Sequence, residues 1–286
     1  MKRWVYNLLI VFFVLVFLVS AGFLLDYLLE SRKQKNQFDE LAQIMAQSAQ
    51  QTAQIPVIET PTVITPADPT APADPTAPEG PVLVEVTDPE TGEQVSVLPD
   101  FVDLYLMNND IVGWISIPNT LVNYPVMHKP ESVDYYLYRS FSQEYSKHGC
   151  IYVREACDVF APSDNVTIYG HRMGDGTMFN TLHNYASEDY YREHSQIVFN
   201  TLTEYHTYEI LSVFRISSTV DSDFPYHLFV DAADEAHFDE YVQNCLSRSL
   251  YDTGVTASYG DKLITLSTCE YTRVNGRLVV VAKRIS

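Results

Sequence analysis

The rhythm of hydrophobic and polar residues changes three times along this chain of 286 residues. From Trp4 to Leu25, 22 residues pass without a charged side chain. At about 1.5 Å per residue a helix of that length crosses a hydrocarbon layer of about 30 Å. The run is too long for the apolar stretch of a cleaved leader, and "VSAGF" (19–23) is a poor cleavage site set inside it, so an uncleaved anchor is expected. Ser31 to Gln54, rich in Gln, Ala, Glu and Lys, reads as a polar helix. Pro56, Pro61 and Pro66 follow, then "ADPTAP" twice in succession, at 67–72 and 73–78. Proline on that period cannot build a core and predicts an extended, partly polyproline II tether. At about 3.1 Å per residue it would hold a folded unit several tens of ångströms from the lipid.

The third rhythm begins near residue 98. "FVDLYLMNNDIVGWISIP" (101–118) reads as a short helix, a turn and a strand. Strand patterns then recur at 122–127, 149–153, 165–170, 196–201, 207–216, 262–268 and 277–285. Helical signals at 131–138 and 177–187 are short. The strong one is 232–250, where Phe238, Tyr241, Val242, Cys245 and Leu246 mark one face. The expected division is an anchor and flanks at 1–30, polar helix and tether at 31–97, and a folded domain at 98–286. That domain is expected to be mainly β: a closed or nearly closed eight-stranded barrel with appended helices.

Charge narrows the partners. The formal net charge is −19. Residues 48–100 carry nine acids and no Lys or Arg, and from 101 onward 24 acids face 13 bases. Such a surface repels phosphate backbones, which argues against nucleic-acid binding. Lys2 and Arg3 before the apolar run nearly balance Arg32, Lys33 and Lys35 after it. A cytoplasmic N-terminus, with the folded domain outside, is expected from the exported look of the remainder, not from charge.

Four cysteines are present, with spacings that fit no metal pattern. Cys245 falls on the apolar stripe of the long helix, and Cys150 opens a strand, so both read as packing residues; a Cys150–Cys157 bridge stays open. Cys269 differs. It ends the run "LITLSTC" and precedes the polar "EYTRVNG", which places it at a rim. Asn275–Gly276 is a turn signal. If 262–268 and 277–285 pair antiparallel, Cys269 and Arg277 face each other with Cα atoms about 5 Å apart. A guanidinium there favours a thiolate and can bind an oxyanion. Arg273, inside the loop, competes for that part. A thiol nucleophile also needs an imidazole. Of eight histidines, His171 stands out because it follows the strand "VTIYG" and opens a loop with Gly174 and Gly176. His183, His206, His227 and His237 lie in less suggestive settings.

These segments together resemble a known family. "TLSTC" (265–269) looks like the nucleophile motif of the sortases, cysteine transpeptidases of Gram-positive surfaces. "IYGHRMGDGTMF" (168–179) resembles the histidine segment of class B sortases, and "NNDIVGWISIPNTLVNYPVM" (108–127) their opening helix and first strand. The long helix before the cysteine strand, and Arg277 directly before "LVVVAK", also fit. The resemblance spans about 98–286. It implies a sortase-type barrel with Cys269 as nucleophile, His171 as proton carrier and Arg277 as substrate and oxyanion donor, with Thr268 as a further substrate contact. It implies cleavage of a C-terminal sorting signal after Thr, a thioacyl-enzyme, and transfer to a peptidoglycan-precursor or pilin-lysine amine. The partners would be exported proteins bearing the signal, and membrane lipid through residues 4–25. No cofactor is expected, since the thioester conserves the energy of the cleaved bond. The pocket for the signal is expected near 215–262. Some class B members carry an acid two places after the cysteine; here that place is Tyr271, beside Glu270, so no catalytic carboxylate is assigned. A tethered adhesion module with an inert Cys269, or a simple thiol peptidase, are the competing readings.

Overall fold

The computed structural model describes residues 3–52, 80–218, 223–272 and 274–286. The proline-rich repeat at 67–78 and Arg273 lie outside the described residues. The elements in chain order are α1 (Arg3–Thr52), β1 (Val84–Thr87), β2 (Gln94–Val97), α2 (Val102–Met107), β3 (Ile111–Ser116), β4 (Asn123–Met127), β5 (Ile151–Val153), β6 (Asn165–Tyr169), α3 (Glu188–Glu193), β7 (Gln196–Thr201), β8 (Thr207–Ser217), α4 (Glu235–Arg248), β9 (Leu263–Glu270) and β10 (Gly276–Arg284). Short 3-10 segments sit at Tyr135–Tyr138, Phe179–Ala186 and Tyr226–Leu228, and at Pro99–Phe101 before α2.

Eight strands close into a barrel in the order β10-β8-β7-β3-β4-β5-β6-β9. Most neighbours are antiparallel. Two pairs, β4–β5 and β6–β9, are parallel. Alternation along the strands gives each face its own core. Ile264, Leu266, Leu278 and Val280 pack inside the barrel with Ile115, Val126, Ile168 and Phe199. Leu263, Val279, Val281 and Phe214 point outward into a second cluster with Phe224, Phe229, Phe238 and Tyr241. α4 covers that outer cluster. Its buried residues are Phe238, Tyr241, Val242 and Cys245, the spacing of one helical face, and Asp234 caps its start by accepting from the His237 N–H at 2.9 Å. Leu246, also expected on that face, is only half-buried. Beneath α4 the polar outer positions satisfy one another: Tyr241 meets Thr265 at 3.1 Å, and Thr265 donates to Asn165 at 2.7 Å.

The folded unit begins earlier than residue 98. β1 and β2 form a hairpin in which Val86 and Val97 are buried in the main core. The hairpin hides in an acidic stretch, but "VEVT" and "QVSV" alternate as strands do around a Gly-containing turn. The helix expected over 31–54 is also more than a spacer. α1 runs unbroken from the apolar segment to Thr52, and Phe38 and Leu41 are 5% and 2% exposed in the main core, with Ile44 and Met45 against it. Residues 38, 41, 44 and 45 form an apolar stripe on one helical face that the Gln-rich composition around it masks. The most apolar window of α1 has a mean hydropathy of 3.1 and none of it is buried. Ser31 lies six residues after Leu25, about 9 Å along a helix. The barrel therefore sits against the helix that leaves the apolar run.

Two outcomes follow. Leu41→Ala should destabilise the fold by about 2–4 kcal/mol, read as a lower unfolding midpoint, while the outward-facing Glu40→Ala leaves it unchanged. Burial holds His128, His171, His183 and His227 below the ordinary imidazole value. Unfolding returns them to about 6.5, so the unfolded chain takes up protons first and the stability these groups give is full above about pH 6.5 and lost as the pH falls below it. The thermal midpoint should be flat from about pH 8 to 7 and drop between about pH 6.5 and 5.5; a rising midpoint over the lower interval contradicts this.

Candidate active site

Cys269 and Arg277 are directly opposed in the antiparallel pair β9–β10, as the turn chemistry predicted. Alternation places Cys269 with Ser267, Thr265 and Leu263 on the outer face, and Arg277 with Val279 and Val281 on the same face. Thiol and guanidinium are therefore neighbours beyond the open end of the aromatic cluster that α4 covers. Cys269 is half-buried, while Cys150, Cys157 and Cys245 are buried; all four are free thiols. Burial pushes the Cys245 thiol up to about 12, and raises those of Cys150 and Cys157 too, so none of these three supplies a thiolate at neutral pH.

His171 arrives by a different route. β6 pairs with β9 in parallel, with Tyr169 opposite Ser267. In a parallel pair both chains leave at the same rim, so two residues further on the register sets His171 beside Cys269. The ladder extends one step past β6, where the Gly170 N–H donates to the Ser267 carbonyl at 3.2 Å. Only glycine fits there: a Cβ would lie 2.5 Å from Ile151 Cδ1 and 2.6 Å from Phe179 Cδ2. The imidazole is then fixed by one bond, Nε2 to the Leu137 carbonyl at 2.8 Å. A carbonyl only accepts, so Nε2 carries the proton and Nδ1 is the basic nitrogen. Tyr138 lies against the ring, centroids 5.3 Å apart.

The Leu137 carbonyl is itself held open. Gly149, with φ +59°, passes so close that a Cβ would lie 2.4 Å from that oxygen. The turn carrying Leu137 is pinned by Tyr136 donating to Asp110 at 2.7 Å and by Tyr152 donating to Asp134 at 2.7 Å.

A second brace joins Cys269 and His171. The Phe179 N–H donates to the His171 carbonyl at 2.9 Å, and His183 in the same 3-10 turn donates through Nε2 to the Cys269 carbonyl at 2.9 Å. In the sequence His183 falls in a helix-like run, and nothing in its spacing points to residue 269. Arg172 sits over the Tyr271 ring at 5.2 Å, tying the residues that follow His171 and Cys269.

Together these side chains border a cleft of about 340 Å³ that includes Gly170, His171, Ser267, Thr268, Cys269 and Arg277. From the region expected to hold the sorting signal, Ser218, Tyr226, His227 and Leu228 reach it, while α4 does not. The Tyr226 hydroxyl meets Ser267 Oγ at 2.7 Å, which closes the floor. Burial lowers the basicity of His171, and the nearby charges of His148 and Arg277 act the same way. Arg277 Nη1 donates to the Gly276 carbonyl at 3.0 Å. The Thr268 hydroxyl is buried without a hydrogen-bond partner among the described residues, which favours its backbone over its side chain as a substrate-facing group. Glu270 turns away from the cleft: its carboxylate accepts from the Thr272 N–H at 3.1 Å and hydroxyl at 2.6 Å. Tyr271 is exposed. The carboxylates that border the cleft come instead from Asp134 and Glu155. Among the described residues no cluster of three His, Cys, Asp or Glu side chains is arranged to bind a metal.

The sequence matches the family model of the Sortase domain over residues 115–285. It is 33% identical over 194 residues to sortase B of Staphylococcus aureus, covering 67% of this chain and 77% of that protein. It is 32% identical over 187 residues to sortase B of Listeria monocytogenes, covering 64% and 73%. Among solved structures, the Staphylococcus aureus sortase B–substrate complex superposes with a TM-score of 0.69 at 23% identity, over 90% of this chain and 99% of that one. Sortase B of Bacillus anthracis in complex with AAEK1 gives a TM-score of 0.59 at 31% identity, over 71% and 90%. The chain therefore belongs to the sortases, in their class B, and is a cysteine transpeptidase built on their eight-stranded barrel.

Proposed function

We propose that this sortase is held in the membrane by residues 4–25, with the barrel outside the cell, and that it cleaves a C-terminal sorting signal of exported proteins after Thr. Cys269 passes its thiol proton to His171 Nδ1, and the sulfur attacks the Thr carbonyl carbon and forms a C–S bond. The carbonyl electrons move to oxygen, where Arg277 stabilises the anion; a donor of this kind is typically worth about 3 kcal/mol. As the oxyanion collapses the C–N bond breaks, and His171 gives its proton to the leaving amine. An acceptor amine from a cell-wall precursor, or from a pilin lysine, then attacks the thioester. His171 takes the amine proton and the thiolate leaves. Bond energy passes from peptide to thioester to peptide, so neither nucleotide nor metal is consumed.

One observation carries this reading: Cys269, Arg277 and His171, brought together by two different strand pairings, border a single cleft. The Staphylococcus aureus neighbour is a sortase B–substrate complex, in keeping with a substrate held by this fold. The anchor also suits the chemistry. With Ser31 about 9 Å beyond the apolar run, the cleft stays near the membrane surface, where exported chains emerge and lipid-linked wall precursors are presented.

The test uses the full chain in detergent with a sorting-signal peptide, with and without an added amine. The parent should give a Cys269-linked acyl adduct by mass spectrometry and a transfer product that grows with amine. Cys269→Ala and His171→Ala should each lower turnover by about 10³-fold or more. Hydrolysis unaffected by amine makes the protein a peptidase instead; unchanged turnover in either variant removes that residue from the mechanism. Arg277→Ala should cost about 10²–10³ in kcat. Arg277→Lys should recover only part of it, because a point charge replaces a planar donor pair.

A further inference from the structure

Two loops hold His171. Residues 137–149 supply the carbonyl that binds its ring, and residues 171–179 carry the ring itself. The part of α1 beyond the apolar run touches both. The Ser31 hydroxyl donates to the Asp175 carboxylate, four residues after His171. The same carboxylate accepts from the Thr177 N–H at 3.0 Å and hydroxyl at 2.6 Å, and meets His148 Nε2 at 2.8 Å. His148 belongs to the other loop and is 1% exposed. Asp175 is thus a three-way junction between α1, the loop carrying the imidazole and the loop carrying its partner. Burial would raise its carboxyl pKa, but the bonds from Ser31, Thr177 and His148 hold it well below the usual carboxylate range.

Further contacts fix the same register. The Lys147 N–H donates to Glu30 at 2.9 Å, and its ammonium lies 3.1 Å from the same carboxylate. Gln37 donates to Ser142 at 3.1 Å. A Cβ on Gly174 would lie 3.7 Å from the Tyr27 hydroxyl. The Lys33–Glu144 pair, 2.8 Å long, is well exposed and adds little. The weight of the contact rests on buried Phe38 and Leu41, which dock the helix, and on Ser31 and Asp175, which read out its position.

We propose that the extramembrane part of α1 is a positioning element for His171: Ser31, through Asp175 and His148, locks the two loops that orient the imidazole, so the helix that anchors the chain also sets the geometry of its active site. This rests on His171 being the proton carrier. No bond in the reaction changes. The contact raises the share of molecules whose imidazole faces the sulfur, and it acts on turnover more than on peptide binding.

The experiment uses the full chain in lipid nanodiscs with a sorting-signal peptide and an amine. Ser31→Ala, Asp175→Asn, their combination, Ser31→Thr and the outward-facing Asn36→Ala are compared by kcat, KM, pH–rate profile and thermal midpoint. Losing one such hydrogen bond should lower kcat about fivefold. Ser31→Ala and Asp175→Asn should each show that loss with KM within about twofold and a displaced pH profile, and the combination should be no worse than Asp175→Asn, because both break one junction. Ser31→Thr, which keeps the hydroxyl, should retain kcat, and Asn36→Ala should match the parent. Parent-like kcat and pH profile in Ser31→Ala and Asp175→Asn, with or without a lower midpoint, overturns the proposal. His171→Ala is run alongside: if it keeps parent turnover, the proton-carrier reading itself has failed; if it is inactive while the junction variants are parent-like, only the positioning role has.

Discussion

The parallel pairing of β6 with β9 is the constraint on which the site depends. Antiparallel neighbours bring together residues close in sequence across a turn, as Cys269 and Arg277 show. They cannot bring a histidine from 98 positions upstream to the same rim with both chains leaving in one direction. The parallel register Tyr169–Ser267 does, and the extra rung from Gly170 to Ser267 carries it to the residue before the imidazole. Every other feature near the cleft serves that arrangement. Gly170 lets the chain pass Phe179 and Ile151, Gly149 keeps the Leu137 carbonyl open, and His183 holds the backbone of Cys269.

The barrel uses its two faces for different work. Inside, large aliphatic and aromatic residues fill the core and make the strands rigid. Outside, the lower part of β9 and β10 is sealed by α4 and its aromatic cluster, and only the upper part is open. A thiol must be accessible to react yet screened enough for nearby charge to matter. A position just beyond the sealed part of an outer face meets both demands. The other three cysteines, fully enclosed, have thiols raised by burial and play no such part.

Much of this was legible in the sequence. Strand alternation, the Asn275–Gly276 turn and the stripe of α4 gave the eight strands, the Cys269–Arg277 pairing and the helix that covers the outer face. His171 could be singled out by its strand-end position, but its meeting with Cys269 could not be derived, because a parallel pairing leaves no local signature in either strand. His183 and Gly149 were invisible for a related reason: each acts on a backbone carbonyl, and any residue type can present one. The unbroken passage of α1 onto the barrel was obscured by composition, since Gln-rich surroundings hid the stripe at Phe38, Leu41, Ile44 and Met45. Those residues are what bring the folded unit against α1.

The account is tested most directly by a structure of the enzyme with a sorting-signal peptide trapped covalently on Cys269. It predicts the former carbonyl oxygen within hydrogen-bond reach of the Arg277 guanidinium, and His171 Nδ1 within about 3–4 Å of the sulfur or of the leaving-amine position. An adduct whose oxygen points away from Arg277, with His171 Nδ1 out of reach of both the sulfur and the leaving-amine position, would contradict it.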